Sequence, residues 1–227
     1  MKFFIFKNKQ FIILFLVVFL LPSCFEIIEE VNLNDDGSGT FCYTINMSQS
    51  KLEINSMFLL DSINGRPMPH KEQLVEAFDK VENALKEEQD LSNIQSKRNW
   101  DNYIFSVSGS FVNVVALNKA INKINTMFNR PGMYKTVIQD NYIFEGKVFT
   151  RLYNYNLLNE YNSMSGKDKN VFNNAKYTTI YRFSSPIASY SNADALKSKN
   201  GKSVMLKVNV KDLITNTKTI KNSINLK

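Results

Sequence analysis

The chain has 227 residues, 44% hydrophobic and 22% charged, a composition that excludes disordered, collagen-like and multi-pass membrane classes. Its formal charge of +7 includes three lysines within the first 23 residues, so the remainder, with 25 basic and 21 acidic groups, is only mildly basic. One His and two Cys are too few for the usual His- or Cys-based metal and nucleophile sites, so no catalytic, cofactor or metal residue is assigned.

Lys2, Lys7 and Lys9 precede the unbroken apolar run Phe11 to Leu21, which has the length of a secretory signal and falls short of the roughly 20 residues a spanning helix needs. The run ends in Leu21-Pro22-Ser23-Cys24, which resembles a bacterial lipobox. That resemblance implies cleavage after residue 23 and a diacylglyceryl thioether on Cys24, followed by an N-acyl chain such as palmitate. Several acyl chains on one residue make a stable anchor, since each buried CH₂ contributes about 0.8 kcal/mol. The competing reading is an uncleaved anchor, or a chance Cys after a signal.

Modification of Cys24 leaves Cys42 without an intrachain partner, although the exported compartment permits disulfides. The known inner-membrane retention signal, Asp after the Cys, is absent. Phe25 and Glu26 stand there, which favours an outer-membrane, gram-negative-type location on the periplasmic face or the cell surface. Glu26, Glu29 and Glu30 look like acidic surface-export signals of some lipoproteins, or else mark an exposed strand face.

Phe25 to Leu33 alternates Phe25, Ile27, Glu29, Val31 and Leu33 against Glu26, Ile28, Glu30 and Asn32, which predicts a strand. The turn Asp35-Asp36-Gly37-Ser38-Gly39 and the alternating run Thr40 to Met47 complete a hairpin. Ser48 caps a helix to about Leu60, with Leu52, Met57 and Leu60 as face-mates, and Asn64 to Pro69 breaks the chain. From His70 to about Glu88, Leu74, Phe78, Val81 and Leu85 mark an amphipathic helix. Ser92 to Trp100 and Tyr103 to Phe111 form a second predicted hairpin, followed by a helix capped at Asn113, striped by Val114, Leu117, Ile121, Ile124 and Phe128, and ended by Arg130-Pro131-Gly132.

Farther on, Tyr142 to Tyr153 predicts one long strand, Asn154 to Asn174 a polar connection, and Tyr177 to Phe183 a strand that Ile187 to Ala195 could pair. Asn200-Gly201 signals a hairpin into a strand over Val204, Leu206, Val208 and Val210. These elements predict an α+β fold, an antiparallel sheet of hairpins with two to three amphipathic helices on one face. The expected organisation is a signal peptide over 1–23, a single ectodomain over 24–214 and a mobile basic tail over 215–227.

Charge is unevenly placed, with a balance of −7 over residues 24–99 and +7 over 197–227. Lysines 197, 199, 202, 207, 211, 218, 221 and 227 could meet anionic lipid, lipopolysaccharide phosphate or an acidic partner, or form a solvated hairpin and tail. An exported, tethered domain without a recognised nucleic-acid motif excludes nucleic acid as a partner. The stretch Asn32 to Gly37 begins like a calcium loop, but its twelfth position is Tyr43 instead of a bidentate Glu. His70 has no identifiable catalytic partner. There is no P-loop, dinucleotide fingerprint, G-x-S-x-G or H-E-x-x-H. Asp140, Glu145 and Glu160 could act on a glycan only if the fold brought two together. Asp61-Ser62-Ile63 matches a short O-glycosylation acceptor. Tyr153, Tyr155, Tyr161, Tyr177, Tyr181 and Tyr190 suit sheet packing or the lining of an amphiphile or glycan groove.

The acidic first strand, the turn at 35–39, and Tyr181-Arg182-Phe183 with Pro186-Ile187, Asn192-Ala193 and Asn200-Gly201-Lys202 resemble the LppM-type lipoprotein ectodomains. In that pattern Pro-Gly directly follows the aromatic, whereas Ser184-Ser185 intervene here. The resemblance implies an α+β ectodomain with glycolipid binding and no catalysis, and it transfers no ligand residue. The reading of the sequence is a non-enzymatic, outer-membrane-anchored envelope lipoprotein that binds an envelope component or a protein partner, with anionic lipid or glycolipid as further candidate partners. The alternative readings are an amphiphile carrier with a groove between sheet and helices, and a carboxylate-based glycan-processing enzyme.

Overall fold

The computed structural model describes residues 25–60, 62–63, 66–127 and 139–227. The signal segment, Cys24, Asp61, Asn64, Gly65, Phe128 and the helix stop at Arg130-Pro131-Gly132 lie outside them. β1 (Glu26–Leu33) and β2 (Gly39–Asn46) form the first hairpin. Gly37 has φ +84°, and a Cβ on Gly39 would stand 2.0 Å from the Asn32 carbonyl oxygen, so this tight turn needs both glycines. A single 3₁₀ turn then leads into α1 (Lys51–Met57), and the short β3 (Ser62–Ile63) and β4 (Arg66–Pro67) precede α2 (Lys71–Lys86). The second hairpin is β5 (Leu91–Asn99) with β6 (Ile104–Phe111), followed by α3 (Val114–Met127).

Two expectations for the second half are corrected. The stretch from Tyr142 is not one strand but a hairpin of β7 (Tyr142–Glu145) and β8 (Val148–Arg151), because Gly146 at φ +59° turns the chain. The connection over 154–174 contains two short helices, α4 (Leu158–Ser163) and α5 (Gly166–Asn170). β9 (Lys176–Phe183), β10 (Ile187–Tyr190), β11 (Leu196–Lys197) and β12 (Ser203–Asn209) follow.

A third correction concerns residues 215–227, expected as a mobile basic tail. After α6 (Val210–Ile214) they enter β13 (Asn222–Leu226), which pairs with β10 on one side and β8 on the other. Ile220, Asn222, Ile224 and Leu226 are buried. The period-2 pattern there is short and interrupted by asparagines, one of which, Asn222, is buried and accepts from the backbone N–H of Ser191 and Asn192.

The fold is α+β, as the element order predicts. Seven strands run in the order β11-β12-β9-β1-β2-β6-β5, and four in the order β10-β13-β8-β7. Hairpin logic holds throughout the large sheet except at its centre, where β1 and β9 pair in parallel, Glu26 opposite Lys176 through Leu33 opposite Phe183. One face of this sheet is polar, carrying Thr40, Cys42 and Thr44 beside Ser110, Ser108 and Ser106. Cys42 is half-buried there, a free thiol near the Thr44 hydroxyl.

The other face carries Val31, Leu33, Phe41, Phe105, Phe111, Tyr181, Val204 and Leu206, and it holds the core. α2 and α3 cover it over β5 and β6, and the small sheet covers it over β1 and β9, where Phe149 meets Tyr181 and Phe183 at ring separations of 5.2 and 5.6 Å. Helices and small sheet share this side because α3 also packs on β7. No helix among the described residues is long and apolar enough to cross a membrane.

Because β13 is an inner strand of the small sheet, we expect Ile224→Ala, at a fully buried site, to cost about 2–5 kcal/mol in urea unfolding. Removal of residues 222–227 should abolish the cooperative transition. A mobile tail would leave both unfolding midpoints unchanged.

Candidate functional site

The five strands β1, β2, β5, β6 and β9 share two ends: Phe25, Asn46, Tyr103 and Lys176 lie at one end of the large sheet, and the 34–38 turn, Val112 and Ser184 lie at the other. At the second end, far from residue 25, a solvent-open recess of about 380 Å³ is lined by the 36–37 turn, the start of α3 and the segment entering β7. Asn113 caps α3 by accepting from the Ala116 N–H at 2.9 Å. One turn on, the Asn118 side chain holds the β7 segment in place. Its oxygen accepts from the Asn141 and Tyr142 N–H groups at 2.8 and 2.9 Å, and its amide donates to the Tyr142 carbonyl and, at 3.3 Å, to the Asp140 carboxylate.

Asp36, Asp140 and Glu145 place carboxylates along this recess, beside the exposed Val115 and Ile143. Ser38, through its hydroxyl and its amide, donates to Asp36 and holds that carboxyl below its ordinary value. The recess therefore offers acceptor oxygens next to apolar side chains, a combination that suits a partner with amine or guanidinium groups. Among the described residues, no group of three or more His, Cys, Asp or Glu could hold a metal ion.

Tyr142, at the floor of the recess, connects it to a charged cluster between the sheets. Glu29 projects from the inner face of β1 with no exposed surface, and Arg151 projects toward it from β8 at 3% exposure. The pair is bidentate, Nε to Oε1 and Nη2 to Oε2, both at 2.9 Å. Tyr177 donates to Oε2 at 2.6 Å, Tyr181 donates to Oε1, and Tyr43 hydrogen-bonds Tyr142. The Arg151 guanidinium also lies 4.9 Å from the Tyr142 ring centroid and donates to the carbonyls of Asn141 and Leu152.

Burial alone would raise the Glu29 pKa, but the Arg151 charge and the donated hydrogen bonds outweigh it and hold the carboxyl below its ordinary value. Burial and the adjoining Glu29 charge push Tyr43, Tyr142, Tyr177 and Tyr181 well above theirs. The cluster is thus one carboxylate, one guanidinium and neutral phenols, with both carboxylate oxygens already engaged.

The acidic trio of β1 is therefore split. Glu26 and Glu30 face outward and pair with Lys207 and Arg182, whereas Glu29 belongs to the interior, contrary to the expectation of one exposed face or export signal. Of the three carboxylates considered for glycan chemistry, Asp140 and Glu145 share the recess, and Glu160 sits apart on α4. His70 stands at the start of α2, where its N–H is capped by the Gln73 side chain at 2.9 Å.

The C-terminal lysines are spread over the β11–β12 hairpin, α6 and the loop before β13, and Lys207 and Lys218 are ion-paired, the latter with Asp194. Lys218 and Lys221 border a polar recess of about 450 Å³. Of the tyrosines, Tyr177 and Tyr181 join the buried cluster between the sheets, and Tyr161, on α4, is buried against Phe172. An apolar cleft between the sheet and α2 and α3, lined by Tyr43, Phe78, Val81, Phe105 and Ile124, measures about 50 Å³.

Sequence pattern could have found the buried pair. Glu29 is in phase with Ile27, Val31 and Leu33, and an acid on an apolar strand face requires a cation; only the identity of that cation needed the fold.

No family model matches the chain, and no curated protein matches it. Among solved structures it is similar to the NMR structure of the Mycobacterium tuberculosis LppM protein folded domain, at 12% sequence identity and a TM-score of 0.42, with 89% of each chain covered. That domain is of the type named by the resemblance at the two ends of the sequence.

Two outcomes follow for the buried cluster. Arg151→Met, which strands a carboxylate between two sheets, should lose about 3–5 kcal/mol of unfolding free energy. In a pH series, the lowered Glu29 value means its contribution is complete above the ordinary carboxyl value of 4.5 and is lost as pH falls through the folded value. The raised phenol values place a second loss above the ordinary value of 10.0. Glu29→Gln should flatten the acid limb of stability against pH, and an unchanged limb would show that Glu29 does not supply it.

Proposed function

We propose that this chain is a lipid-anchored protein of the bacterial cell envelope whose folded domain is a non-enzymatic binding module. The observation that carries this reading is the position of Cys24: it closes the Leu21-Pro22-Ser23-Cys24 motif, and β1 begins at Glu26. Acyl chains on Cys24 would thus be joined to the domain with no flexible linker between them. The absence of Asp after Cys24 supports the outer membrane as the anchored bilayer.

Anchored there, the domain would present its far end to the surroundings. The recess bordered by Asp36, Asp140 and Glu145, with Val115 and Ile143 exposed beside it, is the contact surface we assign to an envelope protein partner. Glu29, whose two oxygens are already held by a guanidinium and two phenols, is committed to the interior and takes no part in this surface. An amphiphile carrier needs a pocket of roughly 300 Å³ or more. The apolar cleft of about 50 Å³ between sheet and helices speaks against that alternative.

The test is metabolic labelling of the full chain with a palmitate analogue in a gram-negative host. Label should enter the natural chain and be lost in Cys24→Ala, and globomycin should cause the uncleaved precursor to accumulate. Equal labelling of both chains would overturn the reading.

A further inference from the structure

The end of the domain that carries residue 25 has an unusual surface. Leu52, Leu59 and Leu60 are 73%, 85% and 52% exposed, and Met57 is exposed at the end of α1. A periodic helix in the sequence predicts that Leu52, Met57 and Leu60 face a core, yet none of them does. α1 instead lies across the end of the sheet, held by Asn55, which accepts from the Tyr103 hydroxyl, and by Phe58 stacked on Tyr103 at 6.1 Å.

That end is also where the anchor would attach. Asn46, opposite Glu26 in the first hairpin, leads directly through Met47 into the turn before α1, and Met47 donates to the Tyr103 carbonyl. On the other side of residue 25, the Phe25 ring meets Phe172 edge-on at 6.3 Å, beside the exposed Val171. Exposed apolar side chains thus stand at the end that carries residue 25, and consecutive Cα atoms are only about 3.8 Å apart. Acyl chains on Cys24 would bring this rim to the depth of the lipid headgroups.

We infer that the rim formed by Leu52, Met57, Leu59, Leu60 and Val171 is a membrane-contact surface that inserts into the outer part of the bilayer and fixes the orientation of the domain. The inference rests on lipidation of Cys24. Leucines exposed to this degree gain from burial in the acyl region, at about 25 cal/mol per Å² of apolar surface removed from water. Charges of both signs, Lys51 and Glu53 on α1 and Lys211 and Asp212 on α6, which follows Asn209 opposite Lys176, stand at this end, and the inference rests on apolar insertion. The acyl chains on Cys24 would hold the chain at one point, and this second contact would set which way the domain faces.

The experiment uses the full chain, purified in its membrane-processed form, its acylation at Cys24 established by mass, and reconstituted in phosphatidylethanolamine–phosphatidylglycerol vesicles with or without brominated acyl chains. In a Trp100→Phe background, Leu59→Trp reports on the rim and Val112→Trp on the opposite end, both at exposed sites where the fold is not at risk. With Cys24 acylated, emission of the Leu59→Trp protein should move to the blue and be quenched about twofold or more by the brominated chains, as for side chains buried roughly 5–10 Å into the interface, while Val112→Trp stays unquenched. Equal responses at the two positions, quenched or not, would overturn the membrane-contact surface and leave the anchor standing. An unmodified Cys24 would overturn the anchor and this inference together.

Discussion

Among the described residues, one ion pair joins the two sheets, the bidentate pair of Glu29 and Arg151. Two full charges taken from water into a protein interior are expensive to hold, and the cost is offset only if geometry is good and the remaining lone pairs and protons are used. Here they are: two tyrosines donate to the carboxylate, and backbone carbonyls of the β7–β8 layer receive the guanidinium. An apolar pair of similar size could pack as tightly. What it would not supply is directional hydrogen bonding between the inner face of β1 and β8.

This constraint explains how the distal recess is placed. Tyr142 touches the cluster through Arg151 and Tyr43, and its backbone is held by Asn118 of α3. Helix, small sheet and large sheet therefore meet at one residue. The carboxylates of Asp140 and Glu145 lie on the solvent side of that junction, on short segments whose position is set from beneath. A recess built this way takes its shape from the junction beneath it without itself being buried.

The sequence made the first two hairpins, α2, α3 and the β11–β12 turn legible, because each is encoded by local periodicity with a turn signal at its end. Its failures share a cause. Gly146 within an apolar run and the asparagines before Leu226 are weak local signals, and their strands exist because of what they pair with. The parallel pairing of β1 with β9 has no local signature, since its partners lie 150 residues apart along the chain. Glu29 was visible as an acid in phase with Val31 and Leu33, but nothing nearby points to Arg151. The recess was legible only as separate carboxylates, since its shape comes from the ends of three distant elements. Cys24, by contrast, is a purely local motif.

The place of β1 between β2 and β9 also governs the order in which the domain can assemble. β1, β2, β5, β6, α2 and α3 make contacts close in sequence and can form while the later chain is still arriving, since local contacts cost the least chain entropy. Until β9 docks, one edge of β1 is left with open N–H and C=O groups, and Glu29 faces that half-built interior with no cation. Such an edge is a template for pairing with other chains. The closing of one central parallel pair, between strands 150 residues apart, is therefore the step that removes the open edge and the unpaired charge together.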